Sequence, residues 1–349
     1  MSTDSSVAEE RSVGIPGRLA NWNVAIIAVT VVVLIVAAAT VQNFATSQNF
    51  GFLVLDLLPI ALVALPMTLV IVTGEIDLSV ASTLGLSSAV MGYLWNANQP
   101  IETIIPLCLL LGALLGAVNG FFVTVLGLPS LAVTIGTLAL YRGLAFVVLG
   151  DGAVADFPAV YTDWVTGTIA GTSIPNVLII IVVLAAVFGV ILHATPIGRA
   201  VFAVGASDQA ARFAGVRPGR LKFWLYVVSG LVAGLAGVLW TLRYSSARAD
   251  NGAGLELAVV AAVLLGGVSI FGGKGALPGV IAGVVLLASL QNALRLSDVS
   301  NEALNVVTGV LLIVSVLAPN LANAVRSSVQ RRRHRSDPLQ GHRPERAQP

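Results

Sequence analysis

Residues Thr195 to Trp224, TPIGRAVFAVGASDQAARFAGVRPGRLKFW, carry Arg199, Arg212, Arg217, Arg220 and Lys222 against a single acid, Asp208. Apolar runs of membrane length lie on both sides. A cation costs about 2.5–3.5 kcal/mol at the centre of a membrane helix, so a segment this basic lies outside the hydrocarbon. Its small residues, Ala200, Ala203, Gly205, Ala206, Ala210, Ala211, Ala214 and Gly215, leave a surface that another protein can approach closely. Asp208 can cap a short helix through Gln209, Ala210, Ala211 and Arg212. A basic loop with its own helix, held between membrane spans, suits a docking element. An ordinary positively charged cytoplasmic loop is the plainer alternative.

A second group of chemically capable residues lies between apolar runs. Glu75 and Asp77 are costly there unless they face water, a partner or a helix end. Asp77 can cap a helix beginning at Leu78, where a carboxylate satisfies free N–H groups and suits the dipole. The functional alternative is that both acids line the inner mouth of a pathway. Arg142 is a lone cation inside an apolar run, either paired with an acid in the bundle or snorkelling to the interface. Ser82, Ser87, Ser88, Asn119, Thr134, Thr137 and Asn292 could meet the hydroxyls of a solute, or bond between helices for about 0.6 kcal/mol each.

Other chemistries lack their parts. In GVSIFGGKGALPG, Gly275 follows Lys274 where a phosphate-binding loop requires Ser or Thr. His193, His334 and His342 are scattered, with no HExxH or GxSxG. Cys108 has no partner for a disulfide. No metal site and no cofactor are expected.

The elements that must hold these residues are membrane spans. The 349-residue chain is 56% hydrophobic and 10% charged, with a mean hydropathy of +0.92, a composition that implies an integral membrane protein. The net charge of +2, with its basic residues gathered in the central loop and the tail, is a topology signal rather than a nucleic-acid footprint. Apolar runs cover 23–41, 52–72, 78–93, 103–126, 131–149, 175–193, 225–242, 257–270, 276–294 and 303–317. The expected fold is therefore all-α, a polytopic bundle of about ten segments of roughly 20 residues. Pro59 and Pro66 should bend or break the second span. Gly112, Gly116 and Gly120, four apart, form a face for close packing.

The first run is read as a retained span, because no small-residue cleavage site follows it. With the N-terminus inside, crossing at every segment puts 194–224 and the basic tail, including Arg331 to Arg335, in the cytoplasm and the acidic stretch 150–172 outside. The chain then divides into a cytoplasmic tail (1–22), a transmembrane domain (23–319) with its loop at 194–224, and a basic cytoplasmic tail (320–349). A weak internal echo pairs the segment opened by Glu75, with Asn119 beyond it, and the segment opened by Glu256, with Asn292 beyond it. That would be an inverted repeat; Gly-rich spans also look alike without one.

Four stretches in order resemble one family, the permease subunits of monosaccharide ABC importers. GEIDLSVASTLGL (74–86) is similar to the family's GxIDLSVG motif, with Ala81 where Gly is usual. LPSLAVTIGTLALYRGLAFVVLG (128–150), the central TPIGRAVFAVGASDQAARFAGV and GLELAVVAAVLLGGVSIFGGKGALPG (254–279) resemble three further motifs; Ser207 and Asp208 replace the usual Asn-containing pair in the central one. Together with ARADNGAGLEL (247–257), they look most like the rhamnose-type and autoinducer-type branches. The resemblance implies a subunit of the inner membrane, both termini cytoplasmic, that hydrolyses no ATP itself. A second permease, the same chain or a paralogue, would complete the pathway in the lipid. An external binding protein would deliver the sugar. An ABC ATPase would dock on the central loop, at Arg199, Gly205, Ala206, Asp208, Ala210, Ala211, Arg212 and Gly215. The pathway candidates are Glu75, Asp77, Ser82, Asn119, Thr134 and Asn292. An ion-coupled secondary transporter and a branched-chain amino acid permease are the competing functions.

Overall fold

A computed structural model describes residues 16–300, 302–315 and 317. The tail 320–349, with Arg331 to Arg335, and the first fifteen residues lie outside them. The architecture is all-α. Among the described residues, ten helices correspond one for one to the apolar runs: α1 (Pro16–Thr40), α2 (Ser47–Val72), α3 (Val80–Asn96), α4 (Ile101–Thr124), α5 (Ser130–Leu149), α7 (Val177–Ala194), α10 (Pro218–Tyr244), α11 (Leu255–Leu265), α12 (Leu277–Leu296) and α13 (Glu302–Ser315). Seven are long and apolar enough to cross a membrane alone, whereas α3, α11 and α13 are shorter. Three short helices lie between spans: α6 (Ala159–Thr166), α8 (Pro196–Ala206) and α9 (Asp208–Phe213).

The core is built on α2 and α10, whose apolar windows are 94% and 72% buried, against 17% for α1 and α7. The outer helices α1, α4, α5 and α7 therefore leave broad Val, Ile and Leu faces exposed, as helices with a lipid-facing side do. The glycine face of α4 behaves as its spacing predicts. A Cβ on Gly112 would meet the Gly230 carbonyl at 2.3 Å, and one on Gly116 the Tyr226 carbonyl at 2.1 Å, so α4 and α10 touch backbone to backbone.

Pro59 and Pro66 do not break α2, which runs unbroken through both. Pro59 cannot donate to the carbonyl four residues earlier, that of Leu55. The guanidinium of Arg243 on α10 donates to that carbonyl instead, so the proline prepares a site for a cation from another helix.

The packing also bears on the internal echo. α10 packs on α3 and α4, and α2 packs on α11 and α12, while α2 and α10 pack on each other. Exchanging α2 with α10, α3 with α11 and α4 with α12 leaves this pattern unchanged, as an inverted repeat requires. At one end, β1 (Ala153–Val154) pairs antiparallel with β2 (Ala247–Arg248), and Tyr161 of α6 donates to Glu102 at 2.9 Å. The α8–α9 unit lies at the other end, beside the last residue of α2.

Candidate functional site

The central loop is two helices rather than one. Thr195 caps α8, its hydroxyl accepting from Gly198 N, and Pro196 occupies the first turn, where a missing N–H costs nothing. Asp208 is not the cap of α9, as the sequence suggested. Ser207 takes that place, accepting from Ala210 N at 3.2 Å, because its extended backbone points its hydroxyl at the free N–H groups. Asp208 is left free to accept from Lys222 Nζ at 3.1 Å.

Lys222 stands on the first turns of α10, and its ammonium also donates to Glu75 Oε1 at 2.9 Å. It thus joins α9, α10 and the turn between α2 and α3. Its side chain is 11% exposed and that of Glu75 18%, so the pair is poorly screened by water. The turn beyond Glu75 is held from several sides. Ser130 of α5 accepts from Ile76 N at 3.3 Å, Thr134 of α5 donates to the Ile76 carbonyl at 3.3 Å, and Tyr226 of α10 donates to the same carbonyl at 3.4 Å.

Asp77 is 1% exposed. It does not cap a helix at Leu78: α3 begins after Ser79, and the carboxylate folds onto that residue, accepting from Ser79 N at 3.1 Å and Ser79 Oγ at 2.7 Å. Asn119 of α4 donates to Ser79 Oγ at 2.7 Å, and Ser229 of α10 donates to the other Asp77 oxygen at 3.3 Å. Ser82 donates to the Ser79 carbonyl at 2.8 Å.

Glu75, Asp77, Ser82, Asn119 and Thr134 therefore meet around one turn, all but Glu75 enclosed by their own chain. Asn292 is not with them. It exchanges hydrogen bonds with Asn49 at 2.9 and 3.1 Å, at the far end of α2. Ser88 engages Thr241 at 2.7 Å and accepts from Asn251 at 2.8 Å, the interhelical use anticipated for such residues. Arg142 bonds backbone: its guanidinium donates to the carbonyls of Ala249 (2.6 Å), Asn251 (2.8 Å) and Ala81 (3.2 Å). Gly85 makes room for it, since a Cβ there would lie 2.3 Å from the guanidinium.

The docking candidates divide by exposure. Arg199, Ala206, Ala210, Arg212 and Gly215 are exposed, and Ala211 is buried. Gly205 faces its own chain: a Cβ there would meet the Val72 carbonyl at 1.8 Å and Gly273 N at 2.4 Å. Gly272 and Gly273, both with positive φ, bring the α11–α12 loop onto α8, and Gly273 N donates to the Val72 carbonyl at 2.8 Å. The sequence reading missed two aromatic residues beside this junction. Phe213 at the end of α9 is 85% exposed and Phe271 in the α11–α12 loop 78%. An apolar residue closing a charged, small-residue helix was the available signal for Phe213. The four motifs, distant in sequence, thus converge on Val72–Ser79.

A family model described as "Branched-chain amino acid transport system / permease component" matches residues 49–316. The chain is 33% identical over 327 residues to "Autoinducer 2 import system permease protein LsrD" of Yersinia pseudotuberculosis serotype O:1b (strain IP 31758), covering 91% of this chain and 98% of that protein. The proteins of the same name from Yersinia pseudotuberculosis serotype O:3 (strain YPIII) and Yersinia pestis (strain Pestoides F) match at the same identity and coverage. No solved structure matches the chain. End-to-end similarity, the family match and the ten helices together make this a multi-pass membrane protein that belongs to the family of ABC-importer permease subunits its four ordered motifs resemble.

Proposed function

We propose that the chain is the permease subunit of an ATP-driven importer for a monosaccharide-like solute, of the autoinducer 2 or rhamnose type, in the inner membrane. An external binding protein delivers the solute, and a second permease, a copy of this chain or a paralogue, completes the pathway. An ABC ATPase docks on α8 and α9, which lie in the cytoplasm with both termini. Two features support the solute class: the relatives named for autoinducer 2 import align over nearly the whole chain, and the GEIDLS stretch resembles the motif of monosaccharide permeases.

The observation that carries the ATPase coupling is the link through Lys222. A push on α9 acts on Asp208, and Lys222 passes it to Glu75 and the turn that opens α3. Packed helices respond to such a push by shifting as rigid elements. The test is to express the chain with a candidate ATPase and binding protein and follow uptake of labelled solute. Uptake should need both partners and ATP. The family description also motivates a branched-chain amino acid as substrate; labelled leucine in the same vesicles should not be taken up.

A further inference from the structure

At the end of the bundle away from α8 and α9, a cavity of about 480 Å³ opens among α2, α10, α11, α12 and α13. That volume falls within the ~300–1,000 Å³ of small-molecule sites. Its lining differs from the surrounding bundle. Asp56 stands between the guanidiniums of Arg243 and Arg295, the latter at 2.7 Å. Trp240 and Tyr244, one turn apart on α10, place their ring centroids 5.3 Å apart. Gln291 donates to Thr308 at 3.0 Å, and Asn305 is exposed beside them. A second cavity of about 300 Å³ shares Asp56, Arg243, Tyr244, Asn292 and Arg295 with the first, so the ion triad serves both.

Arg243 and Arg295 stand in the last turns of α10 and α12, where cations suit the helix dipole, and Asp56 gathers both into one wall of the cavity. The non-helical Gly252–Gly254 stretch before α11 forms another part of the wall. Pro59 gives up a helix hydrogen bond at the same place, and Arg243 takes the freed carbonyl.

We propose that this cavity binds a small polyhydroxylated solute of monosaccharide size. The inference rests on the import function above and supplies that function with residues. Gln291 and Asn305 offer both donors and acceptors; the Thr308 hydroxyl already donates to the Leu304 carbonyl and accepts from Gln291. The half-exposed Arg295 keeps N–H groups for ligand hydroxyls, since a guanidinium has five and one carboxylate uses few. Trp240 supplies a ring face for the apolar C–H side of a sugar, while one face of Tyr244 already carries the Arg243 guanidinium, 4.6 Å from its centroid. Two guanidiniums against one carboxylate disfavour a cationic ligand.

The test uses the complex with its ATPase and binding protein in proteoliposomes, with labelled L-rhamnose, D-ribose and autoinducer 2 as probes. Gln291→Leu and Trp240→Leu should each raise the KM for uptake at least tenfold. A second measurement does not depend on transport. Native Cys108 is buried, so Asn305→Cys adds the accessible thiol among the described residues. A transported probe at millimolar concentration should slow its maleimide labelling at least threefold, whatever the lipid composition. Unchanged KM in the variants, or labelling that ignores every transported probe, overturns the cavity as a solute site. Labelling that responds to phosphatidylglycerol content and not to sugar overturns it too, and assigns the cavity to a lipid headgroup. Wild-type complex that takes up none of the probes defeats the import function itself; wild-type uptake matched by the variants defeats only the cavity.

Discussion

Lys222 Nζ lies 2.9 Å from Glu75 Oε1 across 147 residues of sequence, at the foot of α10 where α9 and the α2–α3 turn meet. Hydrogen bonds to charged groups contribute about 1.5–3 kcal/mol when poorly solvated, and removing one partner strands the other. Lys222→Met should therefore destabilise the chain by about 2 kcal/mol. It should also cut ATP-driven uptake at least tenfold with the ATPase still bound. Glu75→Gln should do the same, and the double variant should lose less than the sum of the two. Thermal unfolding in detergent and vesicle uptake check both parts. Additive losses would separate the two residues energetically.

Phe213 and Arg199 test docking without disturbing the fold. Both side chains are exposed, and exposed substitutions generally move stability by no more than about 0.5 kcal/mol. Phe213→Ala and Arg199→Glu should leave the unfolding temperature near that of wild type and abolish co-purification of the ATPase. Retained ATPase in both variants would place docking elsewhere.

Gly205 is not suited to that test, although the sequence nominates it. A methyl there meets the Val72 carbonyl at 1.8 Å. Gly205→Ala should lower the stability of the isolated subunit, by about 1–3 kcal/mol for overpacking. Gly116→Ala, facing the Tyr226 carbonyl at 2.1 Å, should do likewise by forcing α4 from α10. Monodisperse yield and unfolding temperature report both.

Arg142→Lys should behave as a loss rather than a conservative change. The planar guanidinium reaches three carbonyls in two directions, which a single ammonium cannot reproduce. The expected result is a drop in unfolding temperature close to that of Arg142→Met. A Lys variant as stable as wild type would contradict it.

Much of the fold was legible because spans are written in composition. Each expected apolar run became a helix, and the glycines of α4 found the backbone contact their spacing implies. Ends were less legible. Lys222 and Arg220 read as loop residues, yet α10 begins at Pro218, because cations are acceptable on the first turns of a span that reaches water. Tertiary contacts were illegible for a physical reason. Nothing near Pro59 in sequence announces Arg243, and nothing near Arg142 announces the carbonyls of Ala249 and Asn251. Asp208 and Asp77 were both read as helix caps by local rules. Neighbouring serines took over one cap and reshaped the other, leaving the acids to bond across the bundle or within a buried turn.

Solute flux in sealed vesicles with and without the ATPase tests the central claim most directly. A passive pathway driven through α8 and α9 predicts accumulation only when the ATPase, ATP and the binding protein are all present. Accumulation by the permease alone on an imposed ion gradient would contradict it.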